Sequence, residues 1–258
     1  MNTQPSSKSS MVSPTPTRVS SGSSILDQML GGGFLCGSAN LIEGAAGTGK
    51  STLGLQFLWS GMDKGEAALI VTFEEFPEQY YQCALELGWD LKKKESEGLL
   101  EIIFTSAEEF VENITNPDSA LRDIIEKLNV KRTVIDSITN LERLAKSPIE
   151  LRQIETDVVN FFKGEEITTL ILKENTHILG GLSLTGNKIA FIVDSFLVLR
   201  YIELKSSIQR GLLILKMRGS NHAKEIRQYT IDKGGLHIGD SFTGITGIFS
   251  GAGTTVRH

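Results

Sequence analysis

Residues Gly44-Ala45-Ala46-Gly47-Thr48-Gly49-Lys50-Ser51 spell G-x-x-x-x-G-K-S, a pattern that demands a particular backbone around it. Glycines let successive N–H groups converge on one anion, and that cradle forms where a strand hands over to a helix whose N-terminal dipole adds to it. Both flanks are present. Residues 40–43 (Asn-Leu-Ile-Glu) read as a short apolar strand, and residues 52–58 (Thr-Leu-Gly-Leu-Gln-Phe-Leu) as an amphipathic helix. In such a loop Lys50 bridges the β- and γ-phosphates of a nucleotide, and the Ser51 hydroxyl has the size and polarity to join a Mg2+ shell. A glycine-rich turn without a ligand would need neither flank.

The rest of the chain repeats the strand–helix alternation. Runs 67–73, 101–104, 132–136 and 168–173 are short, apolar and rich in β-branched residues. After Pro117, Leu121, Ile124, Ile125 and Leu128 recur at helical spacing. Pro77, Pro117 and Pro148 each stand where a helix could start, with Asn116 and Ser147 as cap candidates. This order predicts an α/β fold: a mostly parallel sheet sandwiched by helices, with ligands at the carboxyl ends of the strands. From residue 189 the pattern changes to consecutive strands at 190–204, 211–217 and 225–231, an antiparallel extension on the sheet edge. Residues 1–17, dominated by Ser, Thr and Pro, read as a disordered leader, 18–250 as one domain and 251–258 as a short tail.

Composition narrows the function classes. Hydrophobic residues are 40% and charged residues 22% of the 258, enough for a sizeable core. The net charge of -5 gives no general attraction to nucleic acid or anionic lipid. Run 190–202 is interrupted by Asp194 and Arg200 and is too short for a membrane span. Cys36 and Cys83 are far apart, and His177, His222, His237 and His258 show no ligand spacing. A reducing cytoplasm suits such a chain.

Three further groups carry chemistry. Thr133-Val134-Ile135-Asp136 ends an apolar run in a carboxylate, placing Asp136 as the acidic partner of the phosphate loop on a neighbouring strand, or as a helix N-cap, or both. Glu74 and Glu75 end another apolar run, where one of the pair can orient water or join the metal shell. The stretch 216–224 (Lys-Met-Arg-Gly-Ser-Asn-His-Ala-Lys), with Arg210 before it, gathers cations suited to a triphosphate, supplied from a neighbouring subunit, or to a merely solubilising hairpin.

Taken together, these pieces resemble the KaiC family, a branch of the RecA-like P-loop ATPases that includes the cyanobacterial circadian-clock protein. The resemblance rests on Leu30-Gly31-Gly32-Gly33-Phe34, the GAAGTGKS loop, VTFEEFPEQ (71–79), Leu87-Gly88-Trp89-Asp90-Leu91, Val134-Ile135-Asp136-Ser137 and KMRGSNHAKEIRQYTI (216–231), and it covers about residues 18–250. It implies a RecA-type core in a hexameric ring with ATP between subunits. Gly44, Gly47, Thr48, Gly49, Lys50, Ser51, Thr52, Leu87 and Asp136 then fall on ATP-binding positions, Ser51, Glu74 and Asp136 on the metal, and Glu74 and Glu75 with Lys50 on catalysis. Arg210, Lys216, Met217, Arg218, Ser220, His222 and Lys224 match residues that touch nucleotide across the subunit boundary.

The chain also departs from the clock protein. That protein has two tandem copies of this domain, whereas here there is one P-loop, and the chain ends soon after Ser250 without a long tail. Ala190 and Phe191 stand where the clock protein carries its autophosphorylated Ser-Thr pair, with Thr185 nearby. The expected function is a Mg-dependent ATPase that forms a ring and acts as a regulatory or signalling switch with protein partners. The alternatives are an autophosphorylating Ser/Thr kinase, a DNA-binding recombinase or helicase relative, and a scaffold that binds ATP only to assemble.

Overall fold

The computed structural model describes residues 17–175, 188–204, 206–242, 245–246 and 254–255. The expected leader, apart from Thr17, lies outside the described residues, as do Thr185, His177, His258 and most of the tail. From the N-terminus the elements are β1 (Arg18–Val19), α1 (Ser24–Met29), β2 (Phe34–Leu35), β3 (Ala39–Gly44), α2 (Lys50–Met62), β4 (Ala67–Thr72), α3 (Pro77–Glu86), α4 (Leu91–Ser96) and β5 (Leu100–Phe104). There follow α5 (Ala107–Thr115), α6 (Ala120–Leu128), β6 (Val130–Asp136), α7 (Ile138–Glu142), α8 (Pro148–Gly164) and β7 (Thr168–Glu174). Beyond residue 187 come β8 (Ser195–Leu204), β9 (Ser207–Met217), β10 (Arg227–Asp232) and β11 (Gly235–Ser241), then a small pair, β12 (Ile245–Thr246) with β13 (Thr254–Thr255).

β3 and β4 are buried at every position, the mark of inner strands covered on both faces. They belong to a nine-stranded sheet in the order β11-β10-β9-β8-β3-β7-β6-β4-β5. β5, β4, β6, β7, β3 and β8 run parallel, and β9 to β11 continue the sheet antiparallel. This is the RecA-like P-loop ATPase fold. Alternation along each strand splits the core. Ile42, Leu170, Leu172 and Leu197 point to the side of α2 and α3. Leu41, Ile171, Ile135 and Val198 point to the side of α5, α7 and α8. The chain leaves β3 to build β4 and β5 beyond β6, then returns to fill the gap with β7. The loops at the carboxyl ends of β3, β6 and β7 therefore share one crevice.

Several boundaries differ from the sequence reading. Pro77 and Pro148 do open α3 and α8, and Ser147 caps the latter by accepting from the Glu150 N–H. Pro117 opens no helix: it follows the Asn116 C-cap of α5, and α6 starts at Ala120 under a Ser119 cap. A side-chain oxygen three residues closer to the apolar stripe outcompetes Asn116 there. Residues 190 and 191 belong to a short 3-10 turn, Lys188–Phe191, before β8 begins. β11 is a strand the sequence reading does not separate from its loop, because its outward positions His237 and Asp240 break the apolar run.

Arg132 on β6 lies beneath α2, 1% exposed. It donates to the carbonyls of Ser20 and Phe57 (both 2.8 Å), to Ser60 Oγ (2.9 Å) and to Glu66 Oε2 (2.5 Å). Through these four bonds the buried charge ties the N-terminal segment and α2 to the sheet.

Candidate functional site

The phosphate loop leaves β3 at Gly44 and enters α2 at Lys50. Gly47 (φ +75°) and Gly49 (φ +92°) both sit in the left-handed region. A Cβ on Gly47 would lie 2.6 Å from the Tyr201 hydroxyl, and one on Gly49 would strike Ile231. Thr48 folds the loop back on itself, donating from Oγ1 to the Ala45 carbonyl at 2.8 Å, while its own carbonyl accepts from the buried Tyr229 hydroxyl at 2.5 Å. Lys50 reaches across the loop to the same Ala45 carbonyl, 3.2 Å away. Burial lowers the Lys50 pKa, offset in part by the carboxylates of Asp136 and Glu174. Thr52 is half-buried in the first turn of α2.

Asp136 ends β6, which is not the neighbour of β3 as expected, because β7 lies between them. The carboxylate nevertheless spans that gap, since Ser51 projects from the first turn of α2 over β7. Ser51 Oγ donates to Asp136 Oδ2 at 2.7 Å, and the Tyr80 hydroxyl from α3 donates to the same oxygen at 2.9 Å. The N-cap of α7 is Ser137, joined to Asp136 by a cis peptide, so Asp136 itself is not the capping residue. Its carboxylate serves the crevice.

β4 ends at Thr72, and Glu74 and Glu75 lie in the bend beyond it rather than on opposite faces of a strand. The Thr72 hydroxyl clamps this bend on the Glu75 carbonyl at 2.9 Å. The two acids part company there. Glu74 accepts from Arg143 Nη1 at 3.1 Å, whereas partial burial and then the charges of Asp136 and Glu74 raise the Glu75 pKa. Leu87, at the end of α3, offers its carbonyl to the Gly234 N–H at 2.9 Å, which brings the β10–β11 turn toward the same side.

The basic stretch lies elsewhere. Arg218 N donates to the Asp194 carbonyl, and Asp194 N donates to the carbonyl of Ala39 at the start of β3. Ala39 is a full strand length from Gly44, about 17 Å at 3.3 Å per residue. Lys216 Nζ is spent on the carbonyls of Ala190 and Val193 (both 2.7 Å), and Arg218 on that of Phe191 (2.6 Å). Met217 is buried, the Ser220 hydroxyl is buried without a hydrogen-bond partner among the described residues, and Lys224 lies 2.9 Å from His222 Nε2. Burial and the Lys224 charge lower the His222 pKa. Arg210, grouped with this stretch in the sequence, lies instead over its own phosphate loop, 3.4 Å from the Gly47 carbonyl and over the Tyr201 ring. Among the described residues no cluster of His, Cys, Asp and Glu forms a ready-made metal site, and no helix is long and apolar enough to cross a membrane.

Tyr80 on α3, Tyr229 on β10, Arg143 just after α7 and Glu174 at the end of β7 are brought to the same crevice. Of these only Tyr229 falls in a stretch quoted above, 216–231, and nothing in that stretch sets its hydroxyl apart.

A family model described as "ATPase: KaiC" matches residues 19–242. The circadian clock protein KaiC3 of Synechocystis sp. is 38% identical over 91% of this chain and 46% of its own length. The circadian clock oscillator protein KaiC of Thermosynechococcus vestitus is 38% identical over 93% of this chain and 46% of its own length. That of Nostoc sp. is 37% identical over the same shares. The chain thus spans about half the length of the curated relatives it matches.

Proposed function

The chain belongs to the KaiC family of ATPases, and from that premise we propose that it binds and hydrolyses Mg-ATP at sites completed between copies of itself in a hexameric ring, acting as a nucleotide-dependent regulatory switch. The observation that carries the reading is the Ser51–Asp136 contact of 2.7 Å across β7, with Lys50 immediately before Ser51 in the same helix turn. A hydroxyl and a carboxylate held together at the mouth of a phosphate loop are the hard oxygen donors that Mg2+ takes, so these residues fit the ion, and Glu74 is assigned with them by the family resemblance. Mg2+, when bound, neutralises charge on the β- and γ-phosphate oxygens.

The loop N–H groups and Lys50 hold the phosphates, with Gly44, Gly47, Thr48, Gly49 and Thr52 shaping the cradle and Leu87 beside the base. Glu75 is assigned as the group that accepts a proton from the attacking water, since its raised pKa moves it toward the range where a carboxylate is an effective base. Glu74, neutralised by Arg143, supports it. Lys216, Met217 and Arg218 lie along the sheet toward the start of β3, away from their own loop, which supports their service to a neighbour's nucleotide; Ser220, His222 and Lys224 are assigned with them. Arg210 is assigned in cis. The autokinase reading has no hydroxyl at Ala190 or Phe191 to act on.

Steady-state ATP turnover in Mg2+ tests the core of this. Lys50→Ala is expected to lower turnover at least about a hundredfold, the scale of removing one preorganised charge from a phosphoryl-transfer site. Unchanged turnover in a folded variant overturns the assignment.

A further inference from the structure

One acid lies on the buried face of α8. Glu155 is 1% exposed, flanked by Ile154, Val158, Val159 and Phe162, which pack on the sheet. Among the described residues, no N–H or O–H group donates a hydrogen bond to either of its carboxyl oxygens. It faces another acid, Glu142 at the end of α7, within hydrogen-bonding reach. Glu142 in turn accepts from Lys173 Nζ of β7 at 2.6 Å. Two carboxylates are acceptors only, so they bond to each other only while one of them keeps a proton.

The surrounding charges do not remove that requirement. Arg152 lies on α8 itself, and Lys173 is already engaged by Glu142. On the same face of the sheet Glu43, in register with Lys173, is 3.9 Å from Arg200 and accepts from Asn175. Burial, then the Glu142 charge, push the Glu155 pKa up to about 7, with Lys173 and Arg152 opposing.

α7 is short and tied at both ends to the candidate site. It begins immediately after Asp136-Ser137, its Thr139 hydroxyl accepts from the Glu174 N–H at 3.0 Å, and the residue after Glu142 is the Arg143 that holds Glu74. We propose that Glu155 and Glu142 hold one proton between them and that this proton seats the C-terminal end of α7, which makes Glu155 a positioning residue for the Arg143–Glu74 pair.

With the proton in place, Glu155 donates to Glu142 and α7 stays docked. When the proton is released to water past the partly exposed Glu142, two carboxylates confront one ammonium. The end of α7 then moves outward and takes Arg143 from Glu74. The link to turnover rests on the ATPase reading above, whereas the shared proton does not.

Amide hydrogen exchange of residues 138–145, corrected for intrinsic rates, tests the seat directly. Opening that releases one proton grows roughly tenfold for each pH unit above the pKa of the pair, so the wild-type chain is expected to exchange roughly tenfold faster at pH 8.5 than at pH 7. Glu155→Gln, whose amide donates to Glu142 at any pH, is expected to stay protected at both. Glu142→Gln gives the second test, since one acid alone needs no shared proton and the pH step should vanish there too. An equal step in wild type and variants, or none in wild type, overturns the proposal. ATP turnover is then read on the same samples. If exchange switches while the wild-type chain hydrolyses no ATP, the ATPase reading fails and the proton pair stands. If turnover is normal and exchange does not switch, the pair fails and the ATPase stands.

Discussion

Tyr80→Phe isolates the second hydrogen bond on the Asp136 oxygen that Ser51 also reaches. The Tyr80 hydroxyl is buried and bound to the same carboxylate oxygen as Ser51, and burial together with that negative charge raises its pKa so far that it stays a donor at every working pH. Its removal is expected to cost about 1 kcal/mol of stability, read from urea unfolding. It is also expected to lower turnover only a few-fold, because Ser51 still orients the acid. A loss as large as that of Lys50→Ala would mean that Tyr80 touches the nucleotide itself. Lys50, Ser51 and Asp136 are legible in the sequence because the chemistry of phosphate binding dictates their spacing from glycines and strand ends. Tyr80 and Tyr229 are not. Each is an aromatic on an apolar stripe, and only the topology brings their hydroxyls to Asp136 and to the Thr48 carbonyl.

Capping decides several elements, and it is only partly readable. Ser147 is recognisable because Pro148 and Glu150 follow it in the order a helix start prefers, and its hydroxyl accepts from the Glu150 N–H at 3.2 Å. Ser147→Ala should cost about 1 kcal/mol in a denaturant titration without altering turnover. α8 is then held by its apolar face, by Glu155 against Glu142 and by Lys163 on Asp194 at 2.8 Å. An effect below a few tenths of a kcal/mol would show that those contacts, and not the cap, determine where the helix begins. At Pro117 the same rule misleads. Proline tolerates the first helical position but does not require it, and Ser119 offers a cap directly before Ala120, the first residue of α6. The antiparallel edge was legible as a class, since the switch from alternating helices to consecutive strands shows in residue periodicity. Its last member, β11, was hidden because an edge strand with one solvated face carries too few apolar residues to stand out.

For the whole molecule, the decisive geometry is the length of β3. The phosphate loop is at one end of it and Asp194, Lys216 and Arg218 are at the other, so no rotamer change brings these cations to the loop they would serve. On the ring reading proposed above, each loop takes its second group of cations from a neighbour, in a head-to-tail contact that closes when repeated by rotation. The sequence displays the loop and the cations but not their separation, because register across β3, β8 and β9 is a property of the folded sheet. Specific ATP turnover should therefore rise with protein concentration and then level off. Mixing gives the stronger test. Lys50→Ala and Arg218→Ala chains should each be inactive alone, the first lacking the loop cation and the second the borrowed one. In an equal mixture that exchanges subunits, an interface is complete when an Arg218→Ala chain supplies the loop and a Lys50→Ala chain supplies the arginine. Random assembly makes that true at about a quarter of interfaces, so the mixture should recover about a quarter of wild-type turnover. Recovery near zero after proven exchange would place Arg218 and Lys50 in the same site within one chain, or remove Arg218 from the chemistry if its variant is active alone.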